Sequence, residues 1–84
     1  MKITFKLFAS LTEYLPQASR YTNVVELDVA NDATVMQVIN QFALPAKLVH
    51  LVLINGKYIE PEKRLTQTLV EDDVLAIWPP IAGG

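Results

Sequence analysis

From Lys2 to Ala9 the chain alternates: Ile3, Phe5 and Leu7 point to one side, Lys2, Thr4, Lys6 and Phe8 to the other. A period of two is the pattern of a half-buried strand. Phe8 stands on the otherwise polar side and departs from it. Val24 to Ala30 alternates in the same way, with Val25, Leu27 and Val29 opposite Glu26 and Asp28. Between these strands, Ser10-Leu11-Thr12-Glu13 has the form of a capping box, with Ser10 as N-cap. Leu11, Tyr14 and Leu15 give a short apolar stripe that Pro16 closes. Gln17 to Asn23 reads as a polar loop.

Thr34 and Gln37 form a second capping-box pattern. Val35, Val38, Ile39 and Phe42 follow at the spacing of an amphipathic helix, which is expected to end before Pro45. Leu48 to Ile54 is apolar nearly throughout and predicts a strand. Asn55-Gly56 predicts a type I′ hairpin turn, with Lys57-Tyr58-Ile59 as the return strand. Glu60 to Arg64 reads as a charged loop, and Leu65 to Leu69 has room for one helical turn. Glu71-Asp72-Asp73 reads as a turn. Val74 to Trp78 is the last strand, Leu75 and Ile77 on one face and Val74, Ala76 and Trp78 on the other.

One main helix covers only one face of a mixed sheet of four or five strands. The strand residues Ile3, Phe5, Leu7, Val25, Leu27, Val29, Leu75 and Ile77 are expected to meet Val35, Val38, Ile39 and Phe42 in the core. Phe8, Leu51, Leu53, Ala76 and Trp78 then fall on the open face. A contiguous apolar patch on a small domain marks a partner surface.

Eighty-four residues make one domain, and a composition of 51% hydrophobic and 19% charged residues belongs to a chain that folds. The formal net charge of −2 argues against nucleic acid as a partner, since that wants a basic face. No apolar run approaches the roughly 20 residues of a membrane span. The amino terminus reads as a strand and carries no signal-peptide core. Cysteine is absent, which excludes disulfides and thiolate chemistry and fits a reducing cytoplasm.

The chemistry then concentrates at Trp78-Pro79-Pro80-Ile81-Ala82-Gly83-Gly84. Pro79 and Pro80 hold the backbone extended and donate no N–H, so sheet pairing should stop there. Gly83 and Gly84 have no Cβ, thread a narrow channel and leave the terminal carboxylate open to activation. Residues 1–78 are expected to form the domain body and 79–84 an extended tail. Other candidates read as structural. His50 has neither a second histidine nor a cysteine beside it, so no metal site is expected. Asp72-Asp73 reads as a solvated turn. Lys57, Lys63 and Arg64 read as a solvated basic cluster. Ser10 and Thr34 read as helix caps, because no base can be named for either.

The order of elements, the Asn-Gly hairpin and the terminal Gly-Gly resemble the ubiquitin-like β-grasp fold, an α+β class. Closer in, Leu69 to Gly84 resembles the ending of the sulfur-carrier family, in particular the small subunits of molybdopterin synthase. That ending is an acidic turn, a hydrophobic strand, Pro79-Pro80, the branched Ile81, the variable Ala82 and Gly83-Gly84. Ile3 to Leu15, Ala33-Thr34-Val35 and Val52 to Gly56 are similar too. Trp78 departs from the phenylalanine more usual there, and residues 60–68 match no pattern.

The resemblance implies a non-catalytic sulfur-donor subunit. An activating, E1-like enzyme uses ATP to adenylate the Gly84 carboxylate, which becomes a thiocarboxylate. The carrier then enters a large catalytic subunit as part of a heterotetramer and completes the dithiolene of molybdopterin. Gly84 carries the sulfur, Gly83 fits the channel, Ile81 anchors the tail, and the chain itself holds no cofactor. Two other functions stay open within the same fold: a sulfur carrier for thiamine thiazole, and a ubiquitin-like modifier joined through Gly84 to lysines. A plain binding module using the Trp78 face is a third.

Overall fold

The computed structural model describes residues 1–80. Strands β1 (Lys2–Leu7), β2 (Val24–Asp28), β3 (Leu51–Ile54), β4 (Lys57–Tyr58) and β5 (Val74–Trp78) form one sheet in the order β2-β1-β5-β3-β4. The central pair β1 and β5 is parallel; β1–β2, β3–β5 and β3–β4 are antiparallel. Helix α1 (Val35–Gln41) packs its apolar stripe on one face. This is the ubiquitin-like β-grasp fold, α+β, with a five-stranded mixed sheet.

The alternation read from the sequence sets the core. Ile3, Phe5 and Leu7 are buried, as are Leu75 and Ile77 of β5 and Val52 and Ile54 of β3. Val35, Val38 and Ile39 close over them from α1, and the ring of Phe42 lies 4.7 Å from that of Phe5. Val25, Leu27 and Val29 pack against this core but stay half-buried, because β2 is an edge strand with a neighbour on one side only. Leu11, Leu15, Leu44 and Leu69 complete the core from segments between the regular elements. A domain this small buries only about 60% of its unfolded surface, so these loop leucines are a substantial share of what holds it together.

The capping box at Thr34 forms in full. Its hydroxyl oxygen accepts from the Gln37 N–H at 3.2 Å, and Gln37 Oε1 accepts from the Thr34 N–H at 2.9 Å. The one expected at Ser10 does not. Ala9–Tyr14 is a 3-10 helix whose N-cap is Phe8, with no side-chain cap bond. Ala9 takes φ +53°, which turns the chain one residue before Ser10. The tighter winding brings both Leu11 and Leu15 into the core before Pro16. The apolar run at Leu48 is likewise not all strand: Ala46–Leu48 is a 3-10 turn, and pairing starts at Leu51. The hairpin is as expected, with Asn55 at φ +50° and Gly56 at φ +84°, both positive as a type I′ turn requires.

Helix α1 ends without the glycine that such an ending favours. Ala43 stands at φ +54°, its N–H donates to Asn40 O, and the Leu44 N–H donates back to Ile39 O. This is a Schellman-type close with a Cβ in the left-handed region. Ala43→Gly is therefore expected to stabilise the domain by about 0.5–1 kcal/mol, the relief of that crowding less the greater freedom of glycine in the unfolded chain. Chemical denaturation of the two proteins checks it, and a loss of stability would refute it.

Candidate functional site

The helix-free face of the sheet carries the expected apolar group. Leu51 lies opposite Trp78 and Leu53 opposite Ala76, while Lys6 is the partner of Ala76 on the other side. Residues directly opposed in this way share a face. Phe8 lies just beyond β1 and extends the ladder, its N–H donating to Ile77 O at 3.2 Å. Its ring stacks on Trp78 with centroids 4.1 Å apart and planes 1° from parallel. The departure from alternation at Phe8 thus has a physical reason: Phe8 and Trp78 cover each other at the end of the sheet. Phe8, Leu51, Leu53 and Trp78 are half-buried, and Ala76 is buried among them.

Strand order adds residues that alternation within single strands cannot supply. Val24 is the partner of Lys6, and Tyr58, 52% exposed, is the partner of Leu53. Their place becomes visible only once β2 is known to flank β1 and β4 to flank β3.

The sheet holds its last strand up to Trp78, whose carbonyl accepts from the His50 N–H at 3.1 Å. Pro79 follows half-buried and Pro80 exposed. The apolar face and the start of the predicted tail are therefore continuous through Trp78. Ile81, Ala82, Gly83 and Gly84, also named as site residues, lie outside the described residues.

Three structural readings need correction. Asp73 is not solvated: it is 7% exposed, Oδ1 accepts from Asn55 Nδ2 at 2.8 Å, and Oδ2 accepts from the Val70 N–H at 2.9 Å. Asp72, exposed at φ +71°, makes the turn, and Asp73 points inward to tie the hairpin to β5. Arg64 is not part of a solvated basic cluster either. It is 4% exposed, and its guanidinium donates from Nε to Ile59 O and from Nη2 to His50 O, each at 3.1 Å. Those two carbonyls belong to the ends of neighbouring segments and need donors, which Arg64 reaches inward to supply. His50, expected within a strand, is exposed and just precedes β3. Among the described residues no group of three or more His, Asp or Glu is placed to hold a metal ion. None of the described helices is long and apolar enough to cross a membrane.

Fold and face together define the class: a β-grasp protein whose apolar sheet face leads directly into Pro79-Pro80. The family model of the ThiS family matches residues 5–84, and the chain belongs to that family. Among solved structures it is similar to small archaeal modifier protein 1 (SAMP1) from Haloferax volcanii, at 28% identity over the whole of both chains and a TM-score of 0.71. It shares its fold with a chain from the complex of subunits 1 and 2 of molybdopterin-converting factor from Helicobacter pylori, at 18% identity, full coverage of both chains and a TM-score of 0.63. The same holds for the putative molybdopterin-converting factor subunit 1 from Pyrococcus furiosus, at 19% identity over 96% of this chain and 99% of that one, TM-score 0.65. No curated protein matches the chain. The chain is thus of the sulfur-carrier or ubiquitin-like-modifier kind.

Proposed function

We propose that this protein is a sulfur carrier of molybdenum cofactor biosynthesis, acting through the Gly84 carboxylate. The observation that carries the reading is that the family match runs through Gly83-Gly84 while the apolar face leads, by Trp78 and Pro79, into that same end. Residues 1–78 serve as the body and 79–84 as the tail. An adenylating enzyme supplies ATP: the carboxylate attacks the α-phosphorus and pyrophosphate leaves. Sulfide-level sulfur then displaces AMP and leaves a thiocarboxylate. A thiocarboxylate is a sulfur nucleophile at neutral pH, and after transfer and hydrolysis the carboxylate returns. The chain needs no base of its own for this chemistry.

In this reading Phe8, Leu51, Leu53, Ala76 and Trp78 dock the carrier on the large catalytic subunit of a cytoplasmic heterotetramer, and Pro79 to Gly83 deliver Gly84 to its active site. The neighbour from Helicobacter pylori is itself part of a two-subunit complex, which supports a partner of this kind. A second reading has its own observation: the similarity to a small archaeal modifier protein favours attachment of Gly84 to lysine amines.

Intact-mass measurement after incubation with ATP, a sulfide source and host extract separates the two. A gain equal to the difference between one sulfur and one oxygen atom is expected, with the charged carrier then converting the pterin precursor to the dithiolene. Sulfur passing to a thiazole precursor instead would place the chain in thiamine synthesis. Lysine conjugates with no thiocarboxylate would replace the carrier reading by the modifier reading.

A further inference from the structure

On the helix side of the sheet, away from the apolar face, lies a cavity of about 400 Å³. Met36 and Ile39 of α1, Leu44 and Val49 of the segment after it, and His50 and Arg64 line it. Its size falls within the range of small-molecule sites, roughly 300–1,000 Å³, and its walls are mostly apolar as such sites are.

Arg64 is the unusual member. A buried charge is ordinarily paired with an opposite one, because leaving water costs several kcal/mol per ion. Here the guanidinium is 4% exposed, and among the described residues both of its hydrogen-bond partners are neutral carbonyls and no Asp or Glu lines the cavity. Nε and Nη2 are engaged with Ile59 O and His50 O. Nη1 has no hydrogen-bond partner among the described residues, which leaves it as the part of the group available to a ligand. A guanidinium has five N–H donors in a planar fork suited to a carboxylate. Overall charge does not favour anions, since the chain carries a net −2. Anion affinity would therefore be local to this one group.

We propose that the cavity between α1 and the β3–β4 hairpin binds a small free carboxylic acid with an apolar body, its carboxylate on Arg64 and its chain against Met36, Ile39 and Leu44. The concave shape favours a free acid over a flat protein surface. The site has a route to the carrier end of the molecule: Arg64 holds His50 O, and the His50 N–H holds Trp78 O, the last strand residue before the tail. Occupancy of Arg64 thus bears on the segment where the tail begins.

The test is a titration of the isotope-labelled full chain with hexanoate, followed by amide and arginine Nε–H shifts in NMR spectra, with 1-hexanol as the neutral match. Shifts confined to residues 36–50, 58–64 and Trp78 are expected with hexanoate, and binding of hexanol is expected to be at least about tenfold weaker. Arg64→Gln should weaken hexanoate by a similar factor. Because that change also removes two carbonyl contacts, Ala46→Phe is the second variant: Ala46 is exposed on the cavity rim, so filling it there blocks the space with Arg64 untouched. Loss of binding in Ala46→Phe with sheet amides unmoved supports the site. Equal shifts with hexanol, none with hexanoate, or full hexanoate binding in Ala46→Phe would overturn it. Binding of an end-blocked Leu-Glu-Leu peptide but not of hexanoate would overturn it too, in favour of a partner's acidic side chain.

Discussion

Deletion of Gly84 is expected to abolish thiocarboxylate formation and all downstream sulfur transfer, while the domain stays folded. The argument is geometric. An extended residue spans about 3.3–3.6 Å, so loss of one residue draws the terminal carboxylate back by that distance from the activating nucleotide. Misplacement of a reacting group by about 1 Å already costs on the order of a hundredfold in rate, so several ångströms should cost more than a thousandfold. Stability should not change, because every buried core residue among those described lies at or before Ile77. Gly84→Ala keeps the reach and adds only a methyl group, so it should retain partial activity, whereas the deletion should have none. Intact-mass spectrometry reads the chemistry and a thermal melt reads the fold. A truncated protein that still took up sulfur would refute the assignment of Gly84. A truncated protein with a lowered melting point would show that the tail serves the body as well.

How much of this was legible in the sequence depended on how far apart the interacting groups lie along the chain. The strand alternation in Ile3, Phe5 and Leu7 and the capping box at Thr34 rest on neighbours two or three residues away, and both read correctly. The Ser10 box looked the same but failed, because it depends on the backbone of Ala9, whose positive φ no side chain announces. Arg64 was misplaced on a solvated edge. Its burial follows from the His50 carbonyl 14 residues away, a group that every residue has and that no pattern marks. Phe8 was legible as an exception but not as half of a stack, since Trp78 becomes its neighbour only when β1 and β5 pair in parallel. The open face could be assembled strand by strand, yet Val24 and Tyr58 needed the strand order. Gly83-Gly84 was legible as a motif, and the family match runs through it.

Asp73→Ala is expected to be the most destabilising of the polar substitutions, by about 2–4 kcal/mol, because it leaves two donors, the Val70 N–H and Asn55 Nδ2, without an acceptor at a part-buried site. For a domain of this length, with a total stability of about 0.05–0.15 kcal/mol per residue, roughly 4–13 kcal/mol in all, that is a large share. The carboxylate is one half of a lock. Asn55, at the hairpin tip, donates to Asp73 and accepts from the Val74 N–H at 2.8 Å, while its own N–H donates to Val74 O at 2.9 Å. The turn between β3 and β4 is thereby pinned to the first residue of β5, and β5 carries Ala76 and Trp78. Asn55→Gly tests the side chain alone, since glycine keeps the positive φ and loses only the side-chain bonds; about 1–2 kcal/mol is expected. In the double variant the two costs should not add. Once Asp73 is gone, most of what Asn55 contributes through Nδ2 is gone with it, so the coupling should be about 1 kcal/mol or more. Urea denaturation of the two single variants and the double one measures it. Strict additivity would mean that the two residues stabilise their own turns independently. A coupled loss that also weakens partner binding would tie the hairpin lock to the face that β5 presents.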